Sequence, residues 1–311
     1  LILARNTAVT ALLTHPACLE HETPRGHPET PARLAAVLEA LSGDDFAGLR
    51  RFEAPLASLD QLALVHEREF IDALLDVLPT SGLALVDSDT AVSPGSRDAV
   101  LRAVGASVRA ADLVMSGEVQ NAFCAVRPPG HHATPVRAMG FCLFNGVAIA
   151  ASHVRQGHGV ERVAVVDFDV HHGNGTEACF IGREGLFYGS THQSPLYPGT
   201  GRESAGNIVN RPLPPGAGGA EFRPAFASIL DEVSRFRPDF IFISAGFDAH
   251  RDDHMAQMKL EDADYAWATE QVCALAAESC QGRVVSTLEG GYDLPSLGRS
   301  VRAHVQALMA A

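Results

Sequence analysis

The feature that most constrains this chain is an apolar run that ends abruptly in acids and histidines. Val163-Ala164-Val165-Val166 is followed at once by Asp167-Phe168-Asp169-Val170-His171-His172-Gly173-Asn174. The run is β-branched and too short for a helix, which marks it as a strand buried on both faces of a parallel sheet. Ligands bind at the carboxyl ends of the strands in an open α/β sheet, so these polar side chains stand where chemistry is done. If the extended backbone continues, Asp169 and His171 project to the same side, about 7 Å apart along it, and can converge on one ion. An Asp capping the next helix and a histidine satisfied in the core would explain one or two of these residues, but not the whole cluster.

The pattern recurs. Residues 122–126 read as a strand running into Arg127-Pro128-Pro129-Gly130-His131-His132-Ala133, where two prolines and a glycine forbid regular pairing and fix an irregular loop. Phe240-Ile241-Phe242-Ile243-Ser244-Ala245-Gly246-Phe247-Asp248 and Val284-Val285-Ser286-Thr287-Leu288-Glu289-Gly290-Gly291-Tyr292 repeat it. In a parallel sheet such loops share one edge, which assembles a single site from distant sequence. Residues 10–14, 185–191 and 207–213 read as further strands. Helices are expected after Thr30-Pro31, around Phe70 to Leu78, from Ser96 to Met115, up to Val154, and from Ala220 to Phe236. The stretch from Asp87 to Ser96 is too polar and proline-bearing for a regular element and reads as a loop, with Asp89 either on a substrate rim or simply an exposed turn residue. The fold class that follows is α/β: one domain spanning residues 1–311, an open, mostly parallel sheet with helices on both faces.

Composition limits the partners. The formal net charge of −13 over 311 residues repels nucleic acid phosphates, and no Lys/Arg run offsets it. No membrane span or signal peptide is read in the sequence, and the six cysteines lie scattered without a CxxC pair. Reduced thiols in a cytoplasm are expected.

Asp169, His171 and Asp248 offer two hard oxygens and one imidazole, with positions left for water and substrate. That set fits a catalytic Zn²⁺ better than a closed structural site, although Fe²⁺ or Co²⁺ would also be accepted. A two-metal hydrolase would carry a second acid close behind each ligand; Asp248-Ala249-His250 and His171-His172-Gly173-Asn174 lack them, so one metal is expected.

Four blocks, in order, resemble the signatures of the histone deacetylase superfamily, in the version of class II enzymes and bacterial histone deacetylase-like amidohydrolases. They are Arg127 to Ala133, Asp167 to Thr176, Ser244 to His250 and Glu289 to Tyr292, within a resemblance running from about His15 to Leu297. It implies an arginase/deacetylase-like fold and a zinc-dependent amidohydrolase that removes acetyl or other acyl groups from lysine side chains. Asp169, His171 and Asp248 are implied as zinc ligands, His132 as general base and His131 as its electrostatic or acid partner. Asp167 would hydrogen-bond His131, and Asn174 would stand beside His132 where many class I enzymes have Asp, leaving that base less proton-loving. Tyr292 is the implied oxyanion donor. Asp167 and Ser190 match side-chain ligands of a monovalent cation site for K⁺ or Na⁺.

Gly140 and Phe141 are implied as one wall of an acyl-lysine tunnel. The opposite wall, usually Phe in the family, falls to Tyr197, a departure that alters fit or polarity. At the tunnel mouth stands Met255, preceded by His254 where the family commonly has Pro. Met lines an aliphatic stem, whereas a polyamine-selective branch carries Glu there, so acyl-lysine peptides are expected over acetylated small amines. The alternatives are an acetylpolyamine or other small-amide amidohydrolase, and a catalytically silent acyl-lysine binding module; the presence of Tyr292 and the full ligand set speaks against the latter.

Overall fold

The computed structural model describes residues 9–311. Ten strands appear among them: β1 (Thr10–Thr14), β2 (Arg50–Glu53), β3 (Ala84–Asp87), β4 (Thr90–Val92), β5 (Asn121–Cys124), β6 (Val163–Asp167), β7 (Leu186–Gln193), β8 (Ile208–Leu213), β9 (Phe240–Ala245) and β10 (Val284–Leu288). The helices are α1 (Pro31–Ala40), α2 (Leu59–Leu62), α3 (Arg68–Asp76), α4 (Ser96–Met115), α5 (Gly146–His158), α6 (Asn174–Phe180), α7 (Gly219–Phe236), α8 (Asp262–Ser279) and α9 (Leu294–Ala310).

Eight strands form one sheet in the order β2-β1-β5-β10-β9-β6-β7-β8, every neighbouring pair parallel. Both faces are covered. Ser286 and Thr287 are successive residues of β10 and therefore point to opposite sides. The Ser286 hydroxyl meets Nε2 of His304 on α9 at 2.8 Å, and the Thr287 hydroxyl meets Ser107 on α4 at 3.1 Å. Helices α1, α9, α8 and α7 pack in succession on the first side, and α4 with α5 on the second. Two-sided cover explains why β6, β9 and β10 are buried at every position and read as continuous apolar runs rather than alternating ones. The four strands that deliver polar loops, β5, β10, β9 and β6, are consecutive at the centre of the sheet, so the loops after them meet over one edge.

Two readings of the chain need correction. The stretch from Asp87 to Ser96 is not all loop: β4 lies within it and pairs antiparallel with β3, with Thr90, Ala91 and Val92 buried. Cross-strand pairing outside the main sheet supplies the hydrogen bonds that the local sequence does not advertise. Nor does the extended backbone continue past Asp167. The chain bends through Asp169 and Val170, and this bend, rather than strand periodicity, brings Asp169 and His171 together.

Candidate active site

At the end of β6 the bend turns the backbone N–H of His171 onto Asp169 Oδ1 at 2.8 Å and sets its Nδ1 3.0 Å from the same oxygen. Asp248, from the loop after β9, reaches His171 Nδ1 at 3.1 Å and accepts the Val170 N–H at 2.9 Å. Gly290, after β10, donates its N–H to Asp169 Oδ2 at 2.8 Å. Three strand-end loops thus hold one Asp/His/Asp cluster whose ligand atoms all lie within 4.8 Å of one another. A side chain at 290 would intrude: a Cβ there would stand 2.1 Å from Asp248 Oδ2 and 2.5 Å from Asp169 Oδ2.

The electrostatics call for a cation at this point. Asp169 and Asp248 are both about 1% exposed, and Asp167 and Glu289 are buried close by. Burial pulls the His171 imidazole down, but its hydrogen bonds to Asp169 and Asp248 and their charges outweigh that and lift it to about 10. Burial and the Asp169 charge push Asp248 upward to about 6. Two buried carboxylates facing one imidazole nitrogen require a positive charge between them, either a proton on His171 or a metal ion in its place. The donor set therefore fits a divalent cation of the zinc class, with the rest of its coordination open toward the cavity.

His131 and His132 follow β5 and are buried. Their ring centroids are 4.0 Å apart, yet their partners differ in kind. His131 Nδ1 is 3.1 Å from Asp167 Oδ2, and its Nε2 is 3.8 Å from Asp169. Burial lowers it, but Asp169 and Asp167 more than compensate and raise it to about 10. His132 Nδ1 instead meets the neutral Asn174 side-chain oxygen at 2.8 Å. Burial, then repulsion from His131 and His171, holds it well below the ordinary imidazole range. The two environments thus pull in opposite directions, favouring the protonated form at His131 and the neutral form at His132.

Tyr292 is buried, its ring under the Arg33 guanidinium at 4.6 Å. Burial raises its phenol, with Arg33 pulling in the opposite direction, so it stays protonated. Among the described residues its hydroxyl has no hydrogen-bond partner, and Tyr292 lines a cavity of about 220 Å³ shared with His131, His132, His171 and Gly290.

The walls of that cavity are Phe141 and Tyr197, with Gly140, Met255 and Asp89 also facing it. Gly140 and Phe141 both have positive φ, +57° and +67°. Gly140 has no alternative, since a Cβ would lie 2.5 Å from the His132 ring. The strained Phe141 backbone is pinned from outside: its N–H donates to Thr90 Oγ1 at 3.1 Å, and the Gly140 N–H to Asp89 Oδ1 at 3.3 Å. Asp89 thus braces the wall as well as facing the cavity. The Tyr197 ring stands edge-on to His132 at 5.2 Å and is 38% exposed. Burial and the Asp89 charge raise its phenol, so it is a neutral wall.

Asp167 and Ser190 sit opposite each other in register on β6 and β7. The Ser190 hydroxyl meets His192 Nδ1 at 2.9 Å, while Asp167 accepts from Tyr188 Oη at 3.0 Å and the Asp169 N–H at 3.1 Å.

Two anchors, Asp253 and Arg33, escaped the sequence reading, and a third, Glu289, was singled out there as a strand-end acid but given no role. Asp253 accepts the N–H groups of Tyr292 at 2.6 Å, Asp293 at 3.1 Å and Met255 at 2.9 Å. Glu289 accepts from Gly130 N–H at 2.7 Å, His131 N–H at 3.1 Å and the Ser244 hydroxyl at 3.1 Å. Arg33 donates to the carbonyls of Gly291 at 2.5 Å and Glu289 at 2.6 Å and pairs with Glu29. Glu289 carried a signal, an acid at a buried strand end; the other two sit in unremarkable polar and helical contexts.

Residues 27–308 match the family described as histone deacetylase domain. A Synechocystis protein described as uncharacterized is 40% identical over 97% of this chain and 100% of its own length. A probable deacetylase of Archaeoglobus fulgidus is 38% identical over 92% of this chain and 82% of its own. The histone deacetylase-like amidohydrolase of Pseudomonas aeruginosa is 38% identical over 85% of this chain and 71% of its own. Among solved structures, the HDA15 HD domain superposes with a TM-score of 0.90 at 35% identity, covering 98% of this chain and 89% of that one.

Proposed function

Starting from the fact that this chain belongs to the histone deacetylase family and is a hydrolase of amide bonds, we propose that it is a zinc-dependent lysine deacylase acting on acylated proteins or peptides. The observation that carries this reading is the convergence at one cavity of the Asp169/His171/Asp248 cluster, two adjacent histidines with different partners, Asp167 on the first and Asn174 on the second, and a free phenol.

Zn²⁺ held by Asp169, His171 and Asp248 would supply Lewis acidity, polarising the acyl carbonyl and making water more acidic near neutral pH. His132 is the base. Its Nδ1–H donates to Asn174 Oδ1, an orientation supported by the Asn174 amide nitrogen facing Met139 Sδ at 3.4 Å, so the Nε2 lone pair is left to accept the proton of the attacking water. Positive charge on His131, sustained by Asp167, stabilises the developing anion and provides a proton for the departing amine nitrogen. Tyr292 donates from its hydroxyl to the carbonyl oxygen as negative charge builds there. The C–O bond to water forms, the C–N bond breaks, and a carboxylate and a free amine leave. Asp167 and Ser190 would serve a structural K⁺ or Na⁺ behind this loop.

The apolar walls Phe141 and Tyr197 and the mouth residue Met255 suit the four-carbon stem of lysine, while no carboxylate stands at position 255 to pair with a polyamine ammonium. The net charge of −13 favours cationic substrates over nucleic acid, and six free, buried cysteines suit a reducing compartment such as the cytoplasm. No helix among the described residues is long and apolar enough to cross a membrane.

The test compares kcat/KM for an acetyl-lysine peptide and for acetylspermidine, in wild type and Met255→Glu. Wild type should prefer the peptide, and the variant's ratio should move toward the polyamine. A tenfold wild-type preference for acetylspermidine would overturn the substrate assignment, and an unmoved ratio would remove Met255 as selector.

A further inference from the structure

We infer that Asp112, His153 and His158 form a second site for a divalent transition-metal ion of the zinc class, at the edge of the sheet opposite the cavity. Asp112 lies in the last turns of α4, and the two histidines in the final turns of α5, five residues apart. Helix α5 ends at His158, just before β6 begins at Val163, so the cluster stands at the amino-terminal side of the strands. Both imidazoles aim Nε2 at one atom: His153 is 2.8 Å and His158 2.7 Å from Asp112 Oδ1. The ligand atoms of all three lie within 4.8 Å of one another.

Geometry and access both suit an ion. Bond lengths of about 2.0–2.1 Å at tetrahedral angles put ligand atoms roughly 3.3 Å apart, so the two contacts need open by only about half an ångström. The side chains of His153, His158 and Asp112 are 21%, 30% and 32% exposed, which leaves an entry and room for water ligands. Among the described residues no Lys or Arg lies within 4.0 Å of the Asp112 carboxylate, whose ionic partners are the two histidines. In the metal-free arrangement each Nε2–H donates to Asp112 Oδ1; neither imidazole has a protein partner on Nδ1 among the described residues, so when a metal takes the place of those protons each ring can carry its proton on Nδ1 and give its Nε2 lone pair to the ion. Two imidazoles and one carboxylate match zinc and its neighbours rather than magnesium or calcium, which take all-oxygen shells. The competing account is a plain hydrogen-bonded clip between α4 and α5.

Equilibrium dialysis against buffered free Zn²⁺, with metal per chain counted by mass spectrometry, separates the two. The probe is run on wild type, Asp112→Asn, the double variant His153→Gln/His158→Gln, and Asp248→Ala. Wild type should bind two equivalents. The first two variants should each lose one, and Asp248→Ala should lose a different one, so that combining it with the histidine pair leaves none. Equal stoichiometry in wild type and the double histidine variant overturns the inference. Loss in the histidine variant with no loss in Asp248→Ala upholds it and instead removes the metal assigned to the cavity. Without any substitution, Co²⁺ should broaden and shift the imidazole C–H resonances of His153 and His158; resonances unmoved at full metal loading overturn the assignment.

Discussion

Asp253 is 6% exposed, coordinates nothing, and nonetheless holds two walls of the site together. Oδ2 takes the N–H groups of Tyr292 and Asp293, and Oδ1 takes that of Met255. Asp253→Asn keeps the size and removes the charge. If the remaining oxygen stays with Tyr292 and Asp293, the new amide N–H₂ faces the Met255 N–H, donor against donor. An unsatisfied buried donor costs about 1–3 kcal/mol, and the two surviving bonds drop from charge-assisted to neutral strength, a further loss of about 1 kcal/mol. The expected destabilisation is therefore about 2–4 kcal/mol, read as a lower urea midpoint. Loosening the Tyr292 backbone displaces its hydroxyl, and the full loss of such a donor sets the ceiling at about 10²–10³ in rate. A kcat decrease of about 10- to 100-fold follows, with metal content unchanged. A double-mutant cycle isolates the route: Tyr292→Phe alone should lower kcat by about 10²–10³ with metal retained, and adding Asp253→Asn should cost little more. Two full, multiplying losses, or an Asp253→Asn variant with wild-type kcat, would refute the argument that Asp253 acts by positioning Tyr292.

Asp248→Ala should leave the protein folded but without the metal of the cavity and without turnover; a full equivalent of metal resistant to that change, with the Asp112 site disabled, would mean the ligands are elsewhere. Glu29 yields a pH prediction: burial pushes its carboxyl up, but Arg127 and Arg33 outweigh this and hold it at about 2, below the usual 4.5. A depressed folded pKa contributes stability above the unfolded value and loses it as pH falls, so about 3 kcal/mol should disappear between about pH 4.5 and pH 2. Glu29→Gln should be less stable at neutral pH and show a flatter acid limb, checked by urea midpoints across that range; parallel limbs in the two proteins would contradict the assignment.

Local sequence by itself determined the buried strands β6, β9 and β10, because two-sided burial needs unbroken apolar runs, and it determined that each ends in residues able to bind or titrate. It also determined which family blocks are present, in which order. What it could not determine are relations across long chain separations. Strand β2, Arg50–Glu53, is polar and mostly exposed, and becomes a strand only because β1 presents an unpaired edge. Asp253 and Arg33 look like surface residues until folding brings them against residues 292 and 291. Most of all, His131 and His132 are neighbours with the same side chain; the family blocks imply different partners for them, but only the tertiary structure shows the distances and the burial that drive their proton affinities apart. It sets an Asp from the end of β6 beside the first and an Asn from the start of α6 beside the second, inside a core where the difference of one charge at 3 Å is not screened by water.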